Sequence, residues 1–243
     1  SGWRPHKKDD DFMLKILTFI GEMDTYQGWL CKRLAPLVDA VIVTTEEHKA
    51  RLGYEGAHII PCGVDLDLFA PMPQDEAHTQ VGWDVSHQIV AWIGEPRREK
   101  RLDLAYAAYD ILRQRQPGVE LRIVSRVPHE EVVYYMNAAD VLLLTSDYEG
   151  SPVTIKEAMA CNLPIVSTAV GDVPQVIGGT EGCFLAEHAP QDLAGKLEQA
   201  LSFGRRTRGR EAIHHLRTAS EAKRILAVYE GVLALGTGIQ QEM

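Results

Sequence analysis

Residues 140–177 run DVLLLTSDYEGSPVTIKEAMACNLPIVSTAVGDVPQVI. Val141 to Leu144 is an apolar run short enough for a strand buried in a parallel sheet. Thr145 to Ser151 is a polar loop. Pro152 then stands where a first helical turn tolerates a missing N–H, and Val153 to Cys161 reads as a helix with Val153, Ile155 or Lys156, and Met159 at helical spacing. The chain returns to strand character at Leu163 to Ser167. Such a strand, turn, helix and strand unit places ligands at the carboxyl ends of its strands.

The turn holds the chemistry. Glu149 lies on the loop and Glu157 inside the helix, eight positions on, so both carboxylates can face one pocket. Between them the free N–H groups near Pro152, Val153 and Thr154 form a helix amino end, which favours an anion such as phosphate. Carboxylates accept from hydroxyls, so Glu157 suits a ribose and Glu149 a sugar ring. Two glutamates at this spacing, taken alone, also fit plain surface charge.

The neighbouring residues add weight. Glu149-Gly150-Ser151-Pro152, Lys156-Glu157-Ala158-Met159-Ala160, Pro164-Ile165-Val166 and Val170-Gly171-Asp172-Val173, in that order, resemble the donor-site signature of retaining GT-B glycosyltransferases of the family 4 type. That resemblance implies a Rossmann-like doubly wound α/β sheet as the carboxyl-terminal, donor-binding domain. It implies that Glu157 binds the nucleotide ribose, that Glu149 contacts the transferred sugar, and that the backbone of Gly150, Ser151, Pro152, Val153 and Thr154 meets the diphosphate and the sugar hydroxyls. Such enzymes need no bound metal or other cofactor beyond the nucleoside diphosphate sugar itself.

Outward from this unit, strands alternate with helices: Ile89–Ile93, Val119–Val124 and Gly182–Ala186 as strands, and Lys100–Gln114, Pro128–Asn137 and Pro190–Phe203 as helices. This alternation predicts a parallel sheet with right-handed crossovers. Thr218 to Leu235 is a final amphipathic helix, which the resemblance returns to the amino-terminal segment. Before all this, Phe12 to Ile20 is apolar enough to be buried, as strand or helix. Asp24 to Leu37 looks helical, with Trp29, Leu30, Leu34 and Leu37 on one side, and Ala40 to Thr44 is a strand leading to an N-cap and a helix through Leu52. The expected division is residues 1–57 as a reduced amino-terminal α/β segment, 58–205 as the donor-binding domain, and 206–243 as the returning helix. The Gly-rich loop and acceptor-side residues of the resembled family's first half are not visible in residues 1–57.

Two basic clusters bear on a diphosphate. In Gly94-Glu95-Pro96-Arg97-Arg98-Glu99-Lys100-Arg101, a loop that follows a strand and opens a helix, Lys100 matches the resembled family's phosphate-side lysine, a catalytic group there along with Glu149. Glu95 stands where that family carries arginine, so Arg97 or Arg98 must substitute. Ser125-Arg126-Val127-Pro128 resembles the edge that meets the nucleobase, with Arg126 and Val127 as donor-binding positions. Arg205, Arg206, Arg208 and Arg210 have no motif and read as a solvated linker, and His129 reads as a helix amino-terminal residue. Gly171 and Asp172 fit either a donor-side loop or a plain turn.

Composition sets the outer limits. The chain has 243 residues, 45% of them hydrophobic, enough for a full core and one to two domains. With 25 basic and 34 acidic residues the net charge is −9, which excludes a general field for nucleic acid or anionic lipid. The four cysteines, at 31, 62, 161 and 183, form no CxxC pair; this argues against zinc and for reduced thiols in a cytoplasmic protein. No apolar run reaches membrane-spanning length, and the opening SGWRPHKKDDDF is too polar for a secretion signal. The expected function is therefore transfer of a hexosyl group from a nucleoside diphosphate sugar to an acceptor hydroxyl. The alternatives are a non-catalytic nucleotide-sugar-binding subunit whose protein partner completes the acceptor half, and a GT-B-fold nucleotide-sugar epimerase.

Overall fold

A computed structural model describes residues 16–19, 25–84 and 86–239. The first part of the chain builds a small parallel sheet in the order β1-β2-β3, with β1 at Ile16–Phe19, β2 at Ala40–Val43 and β3 at His58–Ile59. The undecided run from Phe12 thus contains a strand; its residues outside 16–19 lie outside the described residues. Helix α1 (Thr25–Leu34) precedes β2, and α2 (Glu46–Leu52) follows it. Thr45 caps α2 as anticipated, its hydroxyl accepting from the His48 N–H at 3.0 Å. The Ala40 to Val43 run is buried, and Val41 and Val43 form a minor core with Ala35, Leu52 and Ala57. The expected helix through Leu37 ends at Leu34, and Leu37 stands in a separate turn; of the stripe expected on it, Trp29 is 52% and Leu37 68% exposed, while Cys31 packs against the minor core.

The rest of the described chain forms a five-stranded, wholly parallel sheet in the order β5-β4-β6-β7-β8. It is entered through α3 (Gln74–Val81) and runs β4 (Gln88–Ile93), α4 (Leu102–Arg115), β5 (Val119–Val124), α5 (Val132–Ala138), β6 (Val141–Leu144), α6 (Val153–Ala160), β7 (Ile165–Thr168), α7 (Val173–Ile177), β8 (Cys183–Ala186) and α8 (Pro190–Phe203). Helix α3 is an addition to the sequence reading, which gave residues 74–81 no element. Short α9 (Gly209–Ala212) and long α10 (Thr218–Ile239) close the chain.

Side-chain alternation along the strands supplies both faces of the sheet. Ile89, Ala91, Leu142, Leu144 and Ile165 point into a core shared with α5 and α6. Val90, Trp92, Val141, Leu143 and Val166 point into another shared with α4 and α8. Each fully buried Leu, Ile or Val contributes roughly 1.5–3 kcal/mol relative to an exposed one. Strands buried on both faces need unbroken apolar runs, which is why Val141–Leu144 reads as it does.

The chain crosses between the two sheets twice, and the crossings are laced together. The Val64 N–H donates to the Leu216 carbonyl at 2.9 Å, and the Thr218 N–H donates to the Val64 carbonyl at 3.0 Å. Helix α10 lies against the small sheet, where Arg224 donates to the Ile59 carbonyl at 2.5 Å.

The arginine cluster corrects one expectation. Arg205 and Arg208 make exposed surface pairs, but Arg206 and Arg210 are half-buried and bonded to backbone. Arg210 donates to the carbonyls of Leu66 and Phe69, each at 2.6 Å, and of Ala160 at 3.2 Å. Arg206 donates to those of Met136 and Asn137. Loop and helix-end carbonyls here have lost water, and a guanidinium's fixed fan of donors satisfies several at once.

Candidate active site

In this topology β5 lies on one side of β4 and β6 on the other, so the loops after β4 and β6 diverge at the point where the winding reverses. Open α/β sheets form their ligand crevice at that point. The loop after β4 carries Arg97 to Lys100, and the loop after β6 carries Glu149 to Pro152.

These two loops are tied together. The Thr145 hydroxyl lies 2.9 Å from the Lys100 carbonyl and 3.0 Å from that of Arg101, and the Asp147 N–H donates to the Glu99 carbonyl at 2.8 Å. Across this seam the Lys100 ammonium pairs with the Glu149 carboxylate. The same carboxylate oxygen accepts from the Ser146 hydroxyl at 2.8 Å. Glu149 is therefore fixed in place rather than left as mobile surface charge.

Helix α6 starts behind Glu149. Pro152 precedes its first residue, and no side chain caps its amino end. The Ser151 hydroxyl, the nearest capping group by sequence, is engaged elsewhere: it donates to Asp172 at 2.6 Å. Val153 is exposed and Thr154 half-buried, and no described side chain accepts from either amide.

Glu157, one turn on, is 4% exposed. Its carboxylate meets the imidazole Nε2 of His129 at 2.5 Å, and the His129 ring packs on Phe69 with centroids 5.3 Å apart. Burial pushes the Glu157 carboxyl above its ordinary value, while the hydrogen bond from His129 and its charge oppose that rise. Sequence reasoning missed this role for His129; its place just beyond the end of β5 was the available signal.

The remaining candidates are dispersed. Arg97 and Arg98 are exposed and line a shallow cleft with Arg101, Asp103 and Asp147, without a polar partner for either guanidinium among the described residues. Arg126 is exposed, with a backbone φ of 59°, and stands 3.9 Å from Glu95. The acidic residue that would repel a phosphate therefore has a cation beside it. Val127 packs against the α5 and α6 core.

Behind the loop after β6 lies a set the sequence reading left unconnected. Lys156, on α6, has no exposed surface and pairs with Asp172 at 2.8 Å. Its ammonium also donates to the Cys62 carbonyl at 2.8 Å and to the Ser151 hydroxyl. Gly171 beside it has φ 52°, and a Cβ there would lie 2.1 Å from the Gly150 carbonyl oxygen. Only glycine allows the loop after β7 to press so closely on the loop after β6. Beyond Gly171, a cavity of about 430 Å³ opens between Thr44, Thr45 and Glu47 of the first part of the chain and Asp172, Gln175 and Val176. No cluster of His, Cys, Asp and Glu fit to hold a metal occurs among the described residues.

The fold is that of GT-B glycosyltransferases, and residues 117–213 match the family described as glycosyl transferases group 1. Two of its relatives are D-inositol 3-phosphate glycosyltransferases. That of Mycolicibacterium vanbaalenii is 26% identical over 82% of this chain and 54% of its own length, and that of Thermobifida fusca is 27% identical over 82% and 57%. The chain thus spans about half the length of the relatives it matches. Among solved structures, sucrose-phosphate synthase from Thermosynechococcus elongatus superposes with a TM-score of 0.74 at 24% identity, over 88% of this chain and 63% of that one. HepE from Anabaena, solved in complex with UDP, superposes with a TM-score of 0.73 at 16% identity, over 89% and 72%.

Proposed function

We propose that this chain binds a nucleoside diphosphate sugar and transfers its hexosyl group to an acceptor hydroxyl, with retention of configuration at the transferred carbon. The open amino end of α6, flanked by Glu149 and Glu157, carries this reading. A diphosphate on the Val153 and Thr154 amides meets the positive end of the helix, and Lys100 is near enough to Glu149 to serve phosphate and sugar together. As the sugar-to-phosphate bond breaks, negative charge grows on the departing diphosphate. Fixed donors aimed at developing charge supply one of the largest contributions to catalysis. Glu157 accepts from the ribose hydroxyls once His129 gives way, and Glu149 accepts from hydroxyls of the sugar. Arg97 or Arg98 adds positive charge at the mouth, and the Arg126 and Val127 backbone borders the base. The acceptor approaches from the cavity beside Gly171.

The names of the relatives support transfer of a sugar, and the HepE complex with UDP-glucose supports a nucleotide sugar as donor for this fold. Four free cysteines support a reducing, cytoplasmic setting, and no described helix is long and apolar enough to cross a membrane.

Isothermal titration with uridine, guanosine and adenosine diphosphates tests the site and names the base. One of them should bind, and Glu157→Ala should abolish the signal. Silence from all three ends the reading. Binding without hydrolysis or transfer of the matching nucleotide sugar would reassign the chain to a nucleotide-sugar-binding subunit that depends on a partner.

A further inference from the structure

The buried lysine behind the site asks for an explanation that stability does not give. Taking an ammonium and a carboxylate out of water costs most of what their attraction returns, and apolar residues of similar volume often serve a core as well or better. Yet Lys156 has no exposed surface, and all three of its N–H donors are used: on Asp172, on the Ser151 hydroxyl and on the Cys62 carbonyl. Ser151 is equally committed. Its hydroxyl donates to Asp172 at 2.6 Å and accepts from the Cys62 N–H at 3.1 Å as well as from Lys156.

Four segments meet at this one ammonium: the passage between the two sheets at Cys62, the loop after β6 at Ser151, helix α6 itself, and the loop after β7 at Asp172. Backbone contacts close the same ring, since the Asp172 N–H donates to the Gly150 carbonyl at 3.2 Å. Gly150 and Ser151 stand directly between Glu149 and the open end of α6. Whatever fixes Ser151 therefore fixes the spacing between the carboxylate and the amides.

We propose that Lys156 is a positioning residue: through Asp172 and Ser151 it holds the loop of residues 149–152 in register with the amino end of α6, so that Glu149 and the Val153 and Thr154 amides meet one ligand together. It does not touch that ligand. The proposal rests on the donor-site reading above, but half of its test does not.

The test compares the full chain with Lys156→Met, with Lys156→Met/Asp172→Leu, and with Ser151→Ala, which leaves the ion pair intact. Lys156→Met strands the Asp172 carboxylate and should lower the melting temperature; the double variant removes both charges and should recover most of it. Affinity for the nucleoside diphosphate that binds the wild type should fall at least tenfold in both, and measurably in Ser151→Ala. Hydrogen exchange at the amides of residues 149–154 should accelerate in all three variants while β5 and α8 stay protected.

Affinity that recovers along with melting temperature in the double variant would overturn the proposal, leaving Lys156 a purely structural residue. So would unchanged exchange at 149–154 in a folded variant, Ser151→Ala included. If the wild type binds no diphosphate, the donor-site reading falls alone, because the exchange measurement still decides whether Lys156 holds the loop.

Discussion

Lys100 and Glu149, 49 positions apart in the sequence, pair across the gap between the loops that follow the adjacent strands β4 and β6. Neither is free to wander, because Ser146 holds the same carboxylate oxygen and Thr145 lies against the Lys100 carbonyl. The pair closes one wall of the crevice at the reversal point of the sheet.

Removing either member should have different effects. Lys100→Met should weaken nucleoside diphosphate binding by about tenfold to a hundredfold, or about 1.4–2.7 kcal/mol, because a cation beside the phosphates is lost. Glu149→Gln should leave that binding within a few-fold of wild type while cutting transfer from the sugar nucleotide about a hundredfold or more. Calorimetry with the diphosphate and single-turnover assays with the matching donor separate the two.

Glu157 predicts a pH dependence of stability. Its carboxyl is raised in the folded protein by burial, so the folded state holds its proton to higher pH than the unfolded chain does. Well below the ordinary glutamate value of about 4.3 both states are protonated and nothing is lost. As pH climbs through the interval between the ordinary and the raised value, the unfolded state gives up its proton first and the fold loses stability. Glu157→Gln removes that loss. Its melting temperature relative to wild type should rise between pH 4 and pH 7, and His129→Ala, which removes the opposing interaction, should show the reverse. Thermal scans across that range check both.

Gly171→Ala should be severe. A Cβ would sit 2.1 Å from the Gly150 oxygen and 2.7 Å from the Glu149 oxygen, at a φ of 52° that itself costs a side chain about 1–2 kcal/mol. A total loss above about 3 kcal/mol is expected from chemical denaturation, with diphosphate binding weakened even where the protein stays folded.

The thiols offer a simple check on packing. Burial pushes Cys161 and Cys183 each up to about 12, so at pH 8 both should resist a disulfide-exchange reagent in the native protein and react on unfolding. Mass mapping of labelled cysteines at graded denaturant would show either site reacting early if the core is looser than described.

Arg210→Met should destabilise by about 2–4 kcal/mol, since the carbonyls of Leu66, Phe69 and Ala160 lose a charged donor. Arg208→Met, on an exposed pair with Glu211, should cost almost nothing. Paired denaturation curves provide the contrast.

What the sequence disclosed and what it withheld follow from range. Strands such as Val141–Leu144 and Ile89–Ile93 are continuous apolar runs, and the alternating helices carry apolar stripes, so local pattern sufficed for the large sheet. Helix α3 escaped because its only buried members are Ala77 and His78, and its hold on α5 comes from contacts such as Gln74 with the Ala138 carbonyl, 64 positions away. Glu149 just before α6 and Glu157 within it were legible as neighbours of one helix end because only eight positions separate them. Lys156 with Asp172 and Cys62, Glu157 with His129, and Arg210 with Leu66 join residues 16 to 144 positions apart, and no periodicity announces them. Charge clusters were the most misleading: Arg206 and Arg210 look like solvent-facing cations until the carbonyls they serve are in view.

Those two arginines also say where the molecule can be cut. A fragment ending at Phe203, the last residue of α8, would contain every described strand and yet leave five carbonyls, at positions 66, 69, 136, 137 and 160, without these arginine donors. The smallest autonomous piece must therefore run past Arg210, and a protein engineer grafting this half onto another scaffold should place the splice beyond Ile213.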